Sequence, residues 1–377
     1  MSYKIYDIAI IGAGINGCSL AYEFLKEDKS VLLLDKEGVA AGGSGAAGAF
    51  ISPKFSKAGE LKAIINNAFL YSMEYYEKNF PNAFSKTQLF HIAKDEKEAE
   101  ILKYFKQHTM LSLLQVTPTQ QNFLTKEAQD MESISLESGI VNAQKVCKEM
   151  IKEADFFIRE IQQVLWKEEK WIINEEFKAK KIIFTTGAYK TIIDEPYIKL
   201  RGVWGHRIDI QTTTTNPNTL HQYVSISSSK NGKIAIGATH NVHYHPQKTD
   251  KAYDIESGRR ELLQKASQTI HLKDIQILKD YTGLRSGSFD YMPIVGSLVD
   301  SNKTLQNSQK KIRIKKPDFQ QFHYYPNLYM MNGSGGYGFV LAPYLAHILK
   351  EHILYKKPID NQLLPARFFA RWAKRKS

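Results

Sequence analysis

Three glycines near the N-terminus limit what this chain can fold into more than any other feature. The apolar run Ile8-Ala9-Ile10-Ile11 meets Gly12, Gly14 and Gly17 at the spacing G-x-G-x-x-G, and the helical pattern Cys18 to Lys26 follows. Gly12 permits a tight turn, Gly14 lets a pyrophosphate approach the backbone, and Gly17 lets the helix pack against the strand. The helix N-terminus around Ile15 and Asn16 then offers free N–H groups and a partial positive charge. A second strand, Val31 to Leu34, ends in Asp35 and Lys36, with Asp35 eighteen positions after Gly17. There a carboxylate can accept from ribose hydroxyls. A glycine-rich turn without a ligand is the bland alternative. Strand, glycines, helix, strand and acid in that order within 35 residues favour a dinucleotide site.

The chain has 377 residues, enough for two domains and a substantial core, and its hydrophobic content of 43% is that of an ordinary globular protein. It contains no run of 18 apolar residues of the kind that spans a membrane. Met1 leads almost directly into the first strand, so no signal peptide is expected and the expected location is cytoplasmic. Two cysteines, Cys18 and Cys147, at no metal-ligand spacing, predict neither a metal site nor a disulfide framework. Charge is more informative: 51 Lys and Arg against 39 Asp and Glu leave a net +12. A small-molecule enzyme has no need of that excess, whereas a polyanion-binding protein gains affinity and association rate from it.

After Asp35, the stretch Gly42 to Pro53 is dominated by small residues, with Gly43, Ser44, Gly45, Ala46 and Ala47 at its centre. Such a loop can lie against a bulky planar group. Residues 58–79 read as an amphipathic helix, and Gly139 to Met150 as a strand end, a cap and a helix. Lys180 to Phe184 is a buried strand running into Thr185, Thr186 and Gly187, a return to the nucleotide-binding sheet. From 200 to 240 the pattern alternates, with a hairpin turn at Lys230-Asn231-Gly232-Lys233, so an antiparallel sheet is expected. Residues 301–318 are polar and basic and read as an exposed loop or hairpin. A second strand, glycine loop and helix follows: Leu328 to Asn332, then Gly333, Ser334, Gly335, Gly336, Tyr337 and Gly338. The C-terminal tail from Arg367 to Lys376 is basic with aromatics between.

One nucleotide fingerprint, a small-residue loop and a late glycine loop leading into a helix are the parts an FAD enzyme needs. The late helix N-terminus can stabilise negative charge on a reduced flavin. Arg285 in Gly283-Leu284-Arg285…Asp290…Pro293…Gly296 can offer its planar fork to a carboxylate, unless it is a structural partner of Asp290. With these residues in view, the chain resembles the D-amino-acid/glycine oxidase (DAO) group of FAD enzymes. Within that group it is more similar to the FAD-dependent oxidoreductase domains of the MnmC family of tRNA 5-methylaminomethyl-2-thiouridine biosynthesis proteins. Gly43 to Lys57, Asn67 to Phe69, Tyr75-Tyr76, Thr87 to Leu89, Gly237 to His240, Met292 to Gly296 and Ala342-Pro343 carry that similarity. The family commonly has Asn-Arg where this chain has Ala46-Ala47.

The resemblance implies an α/β (α+β) fold class: a Rossmann-like FAD-binding domain of the DAO/glutathione-reductase type with an antiparallel-sheet substrate domain. The expected FAD-binding domain comprises residues 1–80, 140–200 and 320–377, and the substrate domain 81–139 and 201–319. It further implies FAD as cofactor, a wobble uridine of tRNA as substrate, Arg285 as the carboxylate anchor, and Tyr337 and His240 beside the reacting centre. His206 and His243 are further candidates for adjusting amine protonation, with core or surface roles as the alternative. The basic segment 303–316 and the tail 367–376 are candidate phosphate contacts. A monomer is expected, with a separate methyltransferase acting on the product. An oxidase or dehydrogenase of glycine, sarcosine or a D-amino acid remains the alternative enzyme, and a flavin-binding RNA-association module the alternative without chemistry.

Overall fold

Residues 4–115, 122–307 and 317–375 are described by the structure, a computed structural model. Strand β1 (Ile5–Ile11) forms where the chain is apolar on both faces, and its last four residues are all buried, as a central parallel strand requires. Helix α1 (Ile15–Leu25) starts directly from the glycine turn, and β2 (Val31–Asp35) returns parallel to β1 with Ile8 opposite Val31 and Ile11 opposite Leu34. The chain continues through β3 (Phe50–Ile51), α2 (Glu60–Asn79), β4 (Phe84–Ile92), α3 (Glu96–His108), α4 (Lys126–Asp130), β5 (Ser133–Val141) and α5 (Ala143–Met150). Then come β6 (Asp155–Ile158), β7 (Val164–Lys167), β8 (Lys170–Ile173), β9 (Phe177–Phe184), β10 (Leu200–Gln211), β11 (Thr219–His221), β12 (Ser225–Ile226) and β13 (Lys233–Gly237). The last part holds α6 (Ile255–Ser267), β14 (Gln276–Ser288), β15 (Ile294–Val299), α7 (Ser301–Asn307), β16 (Tyr324–Asn332), α8 (Gly338–Tyr355) and α9 (Ala366–Ala373).

Two sheets result. The first runs β15-β16-β9-β1-β2-β6, with the β7–β8 hairpin added along β9; its members are parallel except for that hairpin and β15. One face packs on α1, α2, α5 and α8 through Ile8, Ile10, Phe24, Leu33 and Leu345, and the other on α9 through Phe184, Met330 and Phe369. The second sheet runs β14-β10-β13-β12-β11-β4-β5-β3, covered by α6 around Ile208, Ile236 and Leu262. It is antiparallel as expected except for β11 and β4, which run parallel with Leu220 opposite Phe90. Strand β15 lies within the segment expected in the substrate domain, yet pairs in the first sheet, Val295 opposite Met331.

Local chemistry fixes the element boundaries. Asp95, Thr125, Asn142 and Asp254 each accept a backbone N–H at the start of α3, α4, α5 and α6. Asn231 and Gly232 take positive φ at the expected hairpin turn before β13. The polar stretch after Asp300 is a correction: Ser301–Asn307 is helical, with Ser301 and Thr304 buried and the Asp300 carboxylate accepting from Lys303 N at 3.0 Å. It lacks an apolar period because it is short and held by polar caps. Lys310, Lys311, Arg313, Lys315 and Lys316, the centre of the expected basic segment, lie outside the described residues. Among the described residues no helix is long and apolar enough to cross a membrane.

Candidate active site

The two sheets meet along a cleft of about 730 Å³. Its first wall is the β1–α1 turn. A Cβ at Gly12 would sit 2.5 Å from Thr185 O, and one at Gly17 only 1.9 Å from Gly12 O, so glycine is compelled by close packing. Gly12, Gly14, Ile15 and Asn16 line the cleft, while Gly17 lies behind the turn. Asp35 and Lys36 line it too, but the Asp35 carboxylate already has a structural task. Its Oδ2 accepts from Ala13 N at 2.8 Å, and Oδ1 accepts from Glu37 N and Gly38 N at 2.8 and 3.0 Å. The acid therefore shapes the turn as well as bordering the cleft.

The small-residue loop forms a second wall through Gly43, Ser44, Ala46 and Ala47. Gly43 and Gly283 approach so closely that a Cβ on Gly283 would lie 2.9 Å from Gly43 Cα, which seats the loop directly on β14. Arg207 donates from Nη1 to Ala47 O at 2.7 Å, and Ser44 Oγ accepts from Ile15 N at 2.9 Å. Gly45 packs against Ala40 O behind the cleft. Thr186 and Gly187 close the end of β9, with Gly187 N donating to Asn332 Oδ1 at 3.0 Å.

The late glycine loop forms the third wall. Ser334, Gly335, Gly336, Tyr337 and Gly338 line the cleft, and Gly333, at φ +78°, makes the turn without lining it. Asn16 ties this loop to the first one: its Nδ2 donates to Met331 O, and its Oδ1 accepts from Ser334 Oγ, both at 3.2 Å. Among the described residues no side chain caps the start of α8, whose first residues Gly338 and Phe339 line the cleft, so its first backbone N–H groups are left for a ligand. Burial pushes the Tyr337 hydroxyl up to about 12, so it stays protonated at neutral pH.

Arg285 projects from β14 into the cleft. Its Nη2 donates to Thr239 O at 2.5 Å, and no carboxylate pairs with it among the described residues. The proposed pairing with Asp290 does not form, because Asp290 is held by Arg367 and Arg371. Burial lowers the Arg285 pKa from its ordinary value, the signature of a cation kept from water without a counter-charge. Gly205, opposite Gly283 on β10, makes its seat: a Cβ there would lie 2.3 Å from Arg285 Nη2. His240 does not line the cleft; it is exposed at the surface, and partial desolvation with the charges of Arg285 and Arg201 lowers its pKa. His206 points to the opposite face of β10, fully buried, with Nε2 2.9 Å from Asp280 Oδ1. His243 is exposed beyond β13 rather than on a strand.

Sequence reasoning missed several lining residues. Lys54 lies in the cleft with its Nζ 5.8 Å from the Tyr337 ring centroid, and burial lowers its pKa. Farther along the second sheet are Phe55 and His91, stacked with ring centroids 4.2 Å apart, and His221, which burial and then the His91 charge push down to about 3. His91 lies 3.3 Å from Glu98. Lys54 and Phe55 lie in the Gly43 to Lys57 stretch but nothing there marks them as lining residues, and His91 and His221 are brought beside them by strands distant in sequence.

The cleft fits FAD. Glycine is compelled at its turns, two helix N-termini open into it, and Asn332 Nδ2 is buried beside it without a partner among the described residues. The profile of the family described as "FAD dependent oxidoreductase" (DAO) matches residues 7–352. The chain is 25% identical to the tRNA 5-methylaminomethyl-2-thiouridine biosynthesis bifunctional protein MnmC of Legionella pneumophila (strain Philadelphia 1), covering 95% of this chain and 56% of that protein. It is also 25% identical to MnmC of Leptospira borgpetersenii serovar Hardjo-bovis (strain JB197), covering 98% of this chain and 61% of that protein. The chain thus spans little more than half the length of these relatives. In fold it is similar to glycine oxidase from Bacillus cereus ATCC 14579, with TM-score 0.73, 18% identity, and coverage of 94% of this chain and 96% of that one. L-proline dehydrogenase from P. horikoshii gives TM-score 0.73 at 16% identity, covering 97% of this chain and 98% of that one. With the family match running from β1 into α8, the chain belongs to the FAD dependent oxidoreductase (DAO) family, and FAD is its cofactor.

Proposed function

We propose that this chain acts in tRNA wobble-uridine modification, oxidatively removing the carboxymethyl group of 5-carboxymethylaminomethyl-(2-thio)uridine. The products are 5-aminomethyl-(2-thio)uridine and glyoxylate. The observation that carries the reading is Arg285, a cation inside the cleft that, among the described residues, has one carbonyl contact and no carboxylate partner. The substituent ends in a glycine-like secondary amine and a carboxylate, and the planar guanidinium can take that carboxylate in two parallel bonds. The similarity to MnmC over 95% of the chain supports an RNA-borne substrate, as does the net charge of +12.

When bound, FAD supplies a two-electron acceptor. Arg285 fixes the carboxylate so that the adjacent carbon–nitrogen bond has one orientation. Loss of two electrons and two protons across that bond gives an imine, and addition of water splits it into the primary amine and glyoxylate. The Tyr337 hydroxyl remains a proton donor throughout the neutral range. Lys54, its pKa lowered by burial, surrenders its proton more readily than an exposed lysine.

Anaerobic bleaching of the flavin tests this reading. Carboxymethylaminomethyl-uridine tRNA is expected to bleach it and release glyoxylate, with free amino acids far less effective. Bleaching by glycine, sarcosine or a D-amino acid, and none by the tRNA, would make the chain an amino-acid oxidase or dehydrogenase. A methyltransferase acting on the aminomethyl product would be a separate activity under this proposal.

A further inference from the structure

The turn joining β14 to β15 presents two large aromatic rings to solvent: Phe289 is 69% exposed and Tyr291 60%. Tight turns are ordinarily built from small and polar residues. Here Asp290, between the two rings, is turned inward. It accepts from Arg367 Nε and Nη2, both at 3.0 Å, and from Arg371 Nη1 at 2.9 Å. Anchoring Asp290 directs its neighbours outward, and Tyr291 adopts φ +65° to do so.

This turn follows directly on Arg285 and Ser286 of β14, which line the cleft. Gly287 forms an isolated bridge with Ser334, a residue of the third wall. Arg201 is opposite Gly287 and Val203 is opposite Arg285, so Arg201 and Arg285 share one face of the sheet. They are offset by two residues, roughly 7 Å along the strand. The Arg201 guanidinium lies 4.7 Å from the Tyr291 ring centroid and donates to its hydroxyl at 3.3 Å. Its Nε is buried without a partner, and no carboxylate pairs with it among the described residues. On the other side of the turn, the Arg371 side chain is 63% exposed. The exposed Phe289 and Tyr291 rings thus lie between two cations beside the wall that Ser334 forms, with Arg201 covering one side of the Tyr291 ring.

We propose that Phe289 and Tyr291 stack on unpaired bases beside the modified uridine, with Arg201 and Arg371 meeting the flanking phosphates of a single-stranded RNA loop. The inference rests on the reading of the substrate as a tRNA base. A base that enters the cleft must leave its stack, and its neighbours then lose a stacking partner. Aromatic rings replace that partner for any base, and arginines neutralise the backbone on either side. A free amino acid has no use for such a surface.

An anticodon stem-loop RNA with 2-aminopurine next to the wobble position tests it with the holoprotein. Binding to the parent is expected to quench the probe. Phe289→Ala/Tyr291→Ala should remove the quenching and weaken affinity about tenfold or more, with the flavin absorbance serving as the folding check. Phe289→Tyr and Tyr291→Trp keep a ring and should keep both quenching and affinity. If the parent binds the loop without quenching, or the double variant binds as the parent does, the stacking role is overturned while the substrate reading stands. If the parent binds no stem-loop RNA and free amino acids reduce its flavin, the substrate reading fails and this surface with it. Should the double variant lose flavin, quenching in the parent and in the ring-keeping variants decides alone.

Discussion

Arg285 and Gly205 act as one device: a side chain and the space that receives it. A charge-assisted bond contributes about 1.5–3 kcal/mol, so Arg285→Ala should slow turnover of a carboxylate-bearing substrate at least about tenfold with FAD content unchanged. Arg285→Lys should fare little better, because a point charge cannot reproduce the fork. Gly205→Ala places a Cβ 2.3 Å from Arg285 Nη2 and should cost turnover of similar size. The pair is read by a double-mutant cycle: with Arg285 already Ala, the Gly205 change should add almost nothing. Additive losses would show that Gly205 acts elsewhere. Arg285 was legible in the sequence because glycines flank it at a recognisable spacing. Gly205 and Thr239 were not, because they meet Arg285 only across strands.

At the scale of elements, α8 carries Pro343, which cannot donate to the carbonyl four residues earlier. That carbonyl belongs to Phe339, and Tyr76 Oη of α2 donates to it at 2.9 Å; Ser72 Oγ donates to Val340 O at 2.7 Å. Tyr76→Phe should therefore destabilise the protein by about 1–3 kcal/mol in urea unfolding. Pro343→Ala restores a donor within the helix, so Tyr76→Phe should cost less in that background. Equal costs in the two backgrounds would refute the link. The helices themselves were readable from apolar period and caps, as α2 and α5 illustrate. That a tyrosine of α2 completes the bonding of α8 was not, since nothing local marks a partner 263 residues away.

At the scale of the whole molecule, the ion cluster at Asp290 joins the β14–β15 turn to the C-terminal helix. Burial alone would raise the Asp290 pKa; the hydrogen bonds and charge of Arg367, with Arg371, bring it below the ordinary value. A carboxyl lowered on folding contributes stability that is present above its unfolded pKa of about 3.9 and lost as pH falls through the lower folded value. Acid should thus release α9 below about pH 4, followed by the fluorescence of Trp372, while Asp290→Asn should release it already at neutral pH. Asp290→Asn strands the buried Arg367, at a cost of about 3 kcal/mol or more. The basic tail is corrected accordingly: Arg367 is a buried structural cation, not a phosphate contact. Arg371 and Arg375 remain exposed. If they meet RNA phosphates, replacing both by Ser should lower the log–log salt slope of RNA binding by about two, and an unchanged slope would remove them from the interface.

The sequence by itself determined the features that local chemistry dictates. Gly12, Gly14 and Gly17 between two apolar strands could serve only a tight strand–turn–helix, and the alternation from 200 to 240 could serve only a sheet with one buried face. The small-residue loop and the turn at Gly333 follow from the same steric rules, and together they marked out an FAD enzyme. Tertiary structure alone decided which charges are spent on the fold and which remain for a ligand. Asp290 lies five residues from Arg285 in the chain, yet it pairs with Arg367, and among the described residues Arg285 is left in the cleft without a counter-charge. A salt bridge depends on where two side chains arrive after strands and helices have packed, and sequence proximity does not encode that arrival. The same holds for Lys54, His91 and His221, which separate strands and loops deliver to one cleft.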